Sequence, residues 1–127
     1  MRREEQNLQI RCVKHLLYNY GHLVWQHSSN EGRRSVVEAS YLKKMGMQAG
    51  WPDLDIFGER EVIHIEFKTS KGRQTPEQKR MQEKLERIGH KYYICRSYEQ
   101  FREICKNHFG EETDPDVEQL MRILNEK

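Results

Sequence analysis

The chain has 127 residues, so we expect one domain with a core of modest size. Hydrophobic residues make up 35% of the chain and charged residues 33%, and the formal net charge is +2. This balance excludes a globally basic surface, so any nucleic-acid contact must come from local clusters of positive charge.

The cysteines and the first residues of the chain indicate the cellular compartment in which the protein is expected to fold. Cys12, Cys95 and Cys105 are odd in number and lack C-x-x-C spacing. That favours a reducing, cytoplasmic environment over a disulfide framework or a zinc knuckle. The charged start, residues 1–5, has no apolar run behind it, so we predict neither a signal peptide nor a transmembrane segment.

Residues 4–20 read as the first helix. One apolar stripe runs along it, formed by Leu8, Gln9, Cys12, Val13, Leu16 and Tyr20. Glu5 falls near the middle of this stripe, whereas Glu4 lies about 100° away from it. Two interpretations stay open: Glu5 faces inward, where it must be paired or bound to metal, or it lies in water in a frayed first turn.

The region from residue 22 to residue 46 predicts a short strand, a loop and a short helix. The strand covers residues 22–27, and the loop ends in Arg33 and Arg34. Adjacent arginines after a glycine can reach phosphates, although a plain solvated loop is the alternative. A capping box starting at Ser35 opens the helix, on which Lys43 and Lys44 add positive charge.

A predicted β-hairpin over residues 50–68 carries the main candidate site. If its turn is centred between residues 59 and 60, Leu54 faces Ile65 and Asp53 faces Glu66. Two carboxylates so placed lie about 4.5–5.5 Å apart at Cβ and repel each other. A hard divalent cation would relieve that repulsion, and Lys68 on the same face could stabilise an anionic oxygen. Such a set suits phosphodiester hydrolysis, whereas an isolated Glu-x-Lys is usually a solvated face.

The remainder of the chain predicts a basic loop, two helices around a strand, and a last helix. Lys71 and Arg73 lie in the loop. Residues 75–78 form a second capping box, in which Gln78 is either a reach-back cap or a group that faces the cleft. Residues 91–95 form a strand, followed by a helix to about His108. The final helix could pack on its own domain or on a second copy of the chain.

The predicted order of elements implies an α/β sheet covered by helices. In such a fold the hairpin acids and two helix residues, Glu5 and Gln78, can share one cleft.

Several short motifs, in this order and spacing, resemble those of one nuclease family. They are Glu5-x-x-Leu8-Gln9, Asn30-Glu31-Gly32-Arg33-Arg34, Leu42-Lys43-Lys44-Met45-Gly46, Gly50-Trp51-Pro52-Asp53-Leu54, Glu66-Phe67-Lys68 and Thr75-Pro76-Glu77-Gln78-Lys79-Arg80. Together they resemble the VRR-NUC (virus-type replication–repair nuclease) family of the PD-(D/E)XK superfamily, over residues 4–105. Trp51 is bulkier than the small aliphatic residue common there, and the last helix extends beyond the usual end.

The resemblance implies a single restriction-endonuclease-like domain over residues 1–110, with a central mixed β-sheet flanked by helices and an extra C-terminal helix over residues 111–127. It also implies a Mg²⁺-dependent endonuclease, with Mn²⁺ able to substitute and no small-molecule cofactor. Stand-alone members of phage or bacterial type are similar to homodimers that act on branched DNA such as four-way (Holliday) junctions.

The resemblance also implies the roles of individual residues. The catalytic set is Glu5, Asp53, Glu66, Lys68 and Gln78, and the metal ligands are Asp53, Glu66, the carbonyl of Phe67, and Glu5. The candidate DNA-backbone contacts are Arg33, Arg34, Lys43, Lys44, Lys71 and Arg73. The alternatives are a catalytically silent module that binds branched nucleic acid, and a nuclease for RNA or modified DNA.

Overall fold

The computed structural model describes residues 2–28 and 35–112 together with residues 121, 122 and 125. Its helices and strands, in chain order, are α1 (Arg2–Asn19), β1 (Val24–His27), α2 (Val36–Lys44), β2 (Leu54–Phe57), β3 (Val62–Phe67), α3 (Pro76–Arg87), β4 (Lys91–Cys95) and α4 (Tyr98–Phe109). Arg33, Arg34 and most of the predicted helix over 111–127 lie outside the described residues.

The strands form one mixed sheet in the order β1-β2-β3-β4. β1 and β3 both pair antiparallel with β2, whereas β4 runs parallel to β3. The parallel pair is possible because α3 carries the chain from the end of β3 back to the start of β4. The predicted hairpin register is confirmed, since Leu54 lies opposite Ile65.

The two sheet faces are covered by different helices. One face packs against α1 and α4 and forms the larger core, made of Cys12, Leu16, Tyr20, Leu54, Ile56, Ile63, Ile65, Phe67, Cys95, Phe101, Ile104 and Cys105. The opposite face packs against α3, through Met81, Leu85 and Tyr92. Side chains alternate between faces along a strand, so the acids of β2 and β3 fall on the α3 side.

Helix α2 differs from the other helices in that its apolar residues are not buried. Ser35 caps it by accepting a hydrogen bond from the Glu38 N–H, as the motif predicts. None of the residues in Val36–Lys44, all of which the structure describes, is buried, and Val36 and Val37 are 86% and 72% exposed. The apolar residues of this helix are therefore not part of the core.

All three cysteines are buried free thiols, as expected for a chain without a disulfide framework. Within the part of the chain that the structure describes, no helix is long and apolar enough to cross a membrane.

A buried histidine couples stability to pH. His15 is 5% exposed, and its Nδ1 lies 3.0 Å from the Tyr98 hydroxyl and 3.1 Å from the amide nitrogen of Asn19. Burial lowers the pKa of His15, and the Glu112 carboxylate, 3.4 Å from Nε2, opposes this with a smaller effect. The folded protein therefore holds the His15 proton less tightly than the unfolded chain does.

Stability should accordingly fall as the pH drops below about 6.5, the ordinary pKa of histidine. Urea unfolding at pH 7.5 and pH 5.0 measures the loss, and the His15→Gln protein should lose less over the same interval. His22→Gln, at an exposed histidine, is the control. An equal pH dependence in the wild type and in His15→Gln would contradict this assignment.

Candidate active site

The loop before β2 is shaped by a close approach to helix α3. Gly50 has a φ of +79°, and a Cβ there would lie 2.3 Å from the carbonyl oxygen of Glu77. Pro52 is fully buried next to it. Glycine at this position thus lets the loop dock on the first turn of α3 and bring Asp53 to the sheet.

Asp53 is held at the end of the hairpin by backbone groups. Its Oδ2 accepts a hydrogen bond of 2.8 Å from the Phe67 N–H. Its carbonyl oxygen accepts from the Ser28 N–H at 3.1 Å and lies 2.7 Å from Nδ1 of His27. The carboxylate therefore lies beside the last residue of β3, close to the predicted position opposite Glu66.

Glu66 is completely buried, and its two oxygens have different surroundings. Oε1 accepts hydrogen bonds from the Tyr92 hydroxyl and, at 3.2 Å, from the amide of Gln74. Among the described residues, Oε2 has no hydrogen-bond partner. The ammonium of Lys68 lies 3.4 Å from it, so the predicted neighbourhood of Glu66 and Lys68 is present as an ion pair.

Lys68 itself is anchored through its backbone. Its N–H donates to the carbonyl oxygen of Cys95 at 3.0 Å, which continues the β3–β4 pairing past the end of β3. Its side chain is 11% exposed. Lys68 is thus placed between the buried Glu66 and the open cleft.

The cleft next to these groups has a volume of about 510 Å³. It is lined by Glu5, Gln6, Gln9, Met47, Ala49, Gly50, Trp51, Asp53, Phe67, Lys68, Thr75, Glu77 and Gln78. Five of the six residues predicted to be catalytic or to bind metal line it, and the sixth, Glu66, lies beneath Lys68. Glu5 is half-buried in the cleft wall while Glu4 is exposed, as the inward-facing interpretation of α1 requires.

Gln78 forms the reach-back cap that its motif predicts. Its side-chain oxygen accepts a hydrogen bond of 2.8 Å from the Thr75 N–H, and the Thr75 hydroxyl accepts one of 3.1 Å from the Gln78 N–H. The cap and a place in the cleft are therefore compatible, because the same side chain does both.

Comparison with solved structures identifies the fold. A solved structure named "VRR_NUC domain protein" matches with a TM-score of 0.66 and 23% sequence identity, over 88% of this chain and 92% of that chain. The chain has the VRR_NUC fold. A second structure, "VRR_NUC domain", matches with a TM-score of 0.54 and 20% identity, over 83% of this chain and 96% of that one. A scan against protein-family models and a search of curated proteins find no match.

The structural likeness confirms the resemblance drawn from the motifs at the level of the fold. The mixed sheet flanked by helices is the predicted VRR_NUC architecture, in a single small domain.

Four of the six candidate DNA contacts lie within the described residues, and none of the four is part of the cleft wall. Lys43, Lys44, Lys71 and Arg73 are exposed. Arg96, which sequence reasoning missed, donates hydrogen bonds of 2.7 Å to the carbonyl oxygens of Thr69 and Gly72. It thereby fixes the loop that carries Lys71 and Arg73, through a contact for which the sequence offers no local signal.

A chain of hydrogen-bonded side chains starts at Trp51, which belongs to a predicted motif and lines the cleft. It includes three residues that the motifs missed, the buried Asp55 and His64 and the half-buried His90. The Trp51 indole N–H donates to Asp55 at 2.9 Å, and His64 contacts the other oxygen of Asp55 at 2.6 Å. His90 lies 2.8 Å from the far nitrogen of His64. The hairpin register already pairs Asp55 with His64, so that part of the chain was readable from the sequence.

The acids of the site suit a hard divalent cation that keeps several of its waters better than a metal ion bound entirely by protein side chains. Within residues 2–28 and 35–112, no three His, Cys, Asp or Glu side chains are grouped so as to hold a metal ion. Mg²⁺ is commonly bound through one or two carboxylates and keeps several waters. Asp53, which lines the cleft, and Glu66, with its buried Oε2, are two carboxylates that could meet that requirement.

Proposed function

We propose that this protein is a metal-dependent, structure-selective DNA endonuclease that hydrolyses phosphodiester bonds in branched DNA such as four-way junctions. One observation carries the proposal: a fully buried carboxylate oxygen, Oε2 of Glu66, faces only the Lys68 ammonium among the described residues. A buried carboxylate oxygen without a hydrogen bond costs free energy, which the charge of Lys68 offsets in part and a hard cation would offset further. The VRR_NUC fold supports the same conclusion.

The cation would be held by Asp53 and Glu66, with the Phe67 carbonyl and Glu5 as further ligands, directly or through water. Asp53 and Phe67 are joined by a 2.8 Å hydrogen bond, so their relative positions are set before any ligand arrives. When bound, Mg²⁺ or Mn²⁺ supplies Lewis acidity to the water nucleophile and to the scissile phosphate.

The remaining roles belong to residues that line the cleft. Lys68 positions the attacking water or stabilises the negative charge that develops on the phosphate oxygens. The side-chain carbonyl of Gln78 accepts the hydrogen bond of the helix cap. Its NH₂ group is therefore the end that can donate a hydrogen bond to the scissile phosphate of a bound substrate. Both residues lie on the wall of the same cleft as Asp53.

Affinity for DNA would come from basic residues around the cleft. Lys71 and Arg73 follow Lys68 in a loop fixed by Arg96, and Lys43 and Lys44 are exposed on α2. These side chains, with Arg33 and Arg34, would contact phosphates and so give affinity without reading the base sequence. A homodimer suits a four-way junction because its two sites are related by a two-fold axis.

A gel assay in Mg²⁺ tests the proposal. Four-way junction, flap, duplex and single-stranded DNA are offered to the wild type and to Asp53→Asn, with binding followed by mobility shift. We expect symmetric nicking of the junction by the wild type, and a loss of at least about 1,000-fold in Asp53→Asn with binding retained. Asp53→Asn removes the negative charge and one of the two oxygens, while the remaining oxygen can still accept from the Phe67 N–H. The exposed Glu4→Gln should cut like the wild type.

The same assay discriminates against a catalytically silent module that only binds branched nucleic acid. That rival is favoured by one observation: Glu66 does not line the cleft but lies beneath Lys68. Tight junction binding without cutting in either Mg²⁺ or Mn²⁺ would replace the nuclease proposal with this rival. Cutting of RNA in preference to every DNA substrate would instead change the substrate and keep the chemistry.

A further inference from the structure

The two oxygens of Glu66 are treated differently by the protein around them. Oε1 accepts hydrogen bonds from Tyr92 and Gln74, whereas Oε2 receives none from the residues that the structure describes. A carboxylate held in this way cannot rotate freely, because turning it would break both bonds to Oε1. Only one oxygen is thus left to face the Lys68 ammonium and the cleft beyond it.

The donors to Oε1 are themselves fixed. The NH₂ group of Gln74 has two hydrogens, and it donates to Glu66 at 3.2 Å and to the Gln82 carbonyl at 2.9 Å. Gln82 in turn donates to Glu86 on the next turn of α3 at 3.3 Å. The position of Gln74 is therefore set by helix α3, although Gln74 precedes that helix.

The second donor, Tyr92, comes from β4. It lies opposite His64 in the parallel pairing, and its ring packs against Met81 and Leu85 under α3. Burial, and then the hydrogen bond to Glu66, raise the pKa of Tyr92 well above its ordinary value. The packing of the ring under α3 holds the hydroxyl where it donates to Oε1 of Glu66.

We infer that Tyr92 and Gln74 are positioning residues for the metal-binding carboxylate: by occupying Oε1 of Glu66, they direct Oε2 alone toward a divalent cation in the cleft. The inference rests on the proposed nuclease function. Neither residue is among the catalytic residues or metal ligands predicted from the sequence, and neither lines the cleft. They act on the cation only through Glu66.

Groups that orient a metal ligand typically change metal affinity or activity by about 10- to 100-fold when they are removed. Tyr92→Phe keeps the buried ring and removes only the hydroxyl. Glu66 can then turn, so a cation must fix the carboxylate as it binds. We expect the defect in the metal concentration needed for half-maximal rate rather than in the rate at saturating metal.

The experiment measures Mn²⁺ binding directly, by electron paramagnetic resonance of the free ion, and cleavage as a function of Mn²⁺ concentration. The proteins are the wild type, Tyr92→Phe, Gln74→Leu, Asp53→Asn and Tyr93→Phe. Tyr93→Phe is the matched control, because Tyr93 is the next residue on β4 and its hydroxyl contacts His108 instead of Glu66. Melting in EDTA checks that each variant is folded.

We expect Tyr92→Phe and Gln74→Leu each to weaken Mn²⁺ binding about 10-fold, with the rate at saturating Mn²⁺ recovering toward the wild-type value. Tyr93→Phe should bind Mn²⁺ like the wild type. Unchanged or tighter binding in both Tyr92→Phe and Gln74→Leu would overturn the inference while leaving the nuclease intact. If the wild type binds no Mn²⁺, or if Asp53→Asn binds Mn²⁺ as well as the wild type does, the proposed function is overturned and this inference with it.

Discussion

The Lys68→Ala protein is expected to be about 3 kcal/mol less stable than the wild type in EDTA, and to cut DNA about 100- to 1,000-fold more slowly. The stability loss follows from burial. Glu66 is 0% exposed, and the Lys68 ammonium lies 3.4 Å from its Oε2. Removing Lys68 therefore leaves a buried carboxylate without a compensating positive charge. For a domain of this size the loss corresponds to a melting temperature roughly 10 °C lower.

Mg²⁺ should restore part of this stability, because a divalent cation replaces the lost positive charge next to Glu66. The rise in melting temperature on adding Mg²⁺ should therefore be larger for Lys68→Ala than for the wild type. Lys71→Ala is the matched control, since Lys71 is exposed in the following loop and is expected to melt like the wild type. If Lys68→Ala melts like Lys71→Ala in EDTA, the ion pair does not compensate the buried acid.

Gly50→Ala is expected to destabilise the protein by about 3 kcal/mol or more, through two effects that add. A φ of +79° costs a residue with a side chain about 1–2 kcal/mol. The new Cβ would in addition lie 2.3 and 2.4 Å from the carbonyl oxygen and carbon of Glu77, which are backbone atoms of the first turn of α3. Relief of that clash must move either the loop that carries Asp53 or the helix.

Gly89→Ala separates these two effects. Gly89 also has a positive φ, of +93°, but a Cβ there would meet no other described atom within 4 Å. Urea unfolding should therefore show a loss near 1 kcal/mol for Gly89→Ala and a clearly larger loss for Gly50→Ala. Equal losses of stability in the two proteins would mean that the loop and α3 can move apart at little cost in free energy.

Motifs in this chain locate the elements of the site well, because each depends on residues close together in sequence. The capping box of Thr75 and Gln78 is present with both of its bonds. Helical periodicity predicted that Glu5 faces inward, and Glu5 lines the cleft. The tight turn predicted the pairing of Leu54 with Ile65, which the structure has. In each case the interaction spans a few residues or a short turn, so chain geometry alone determines it.

Helix α2 marks the limit of such reasoning. Its cap was readable from Ser35 and Glu38, but periodicity cannot say whether an apolar face meets a partner. In the structure Val36, Val37, Tyr41 and Met45 are all exposed. A local pattern therefore gives the helix and its boundaries, and only the packing of the other elements decides what the helix covers.

The sequence by itself determined the order of elements, the register of the β2–β3 hairpin and the identity of the acids and the lysine at its end. Tertiary structure alone decided the surroundings of those groups. Tyr92 reaches Glu66 because β4 lies parallel to β3 after a helical crossover, and Gly50 matters because α3 passes directly against it. Contacts of that kind join segments far apart in the chain, so they depend on how whole elements pack.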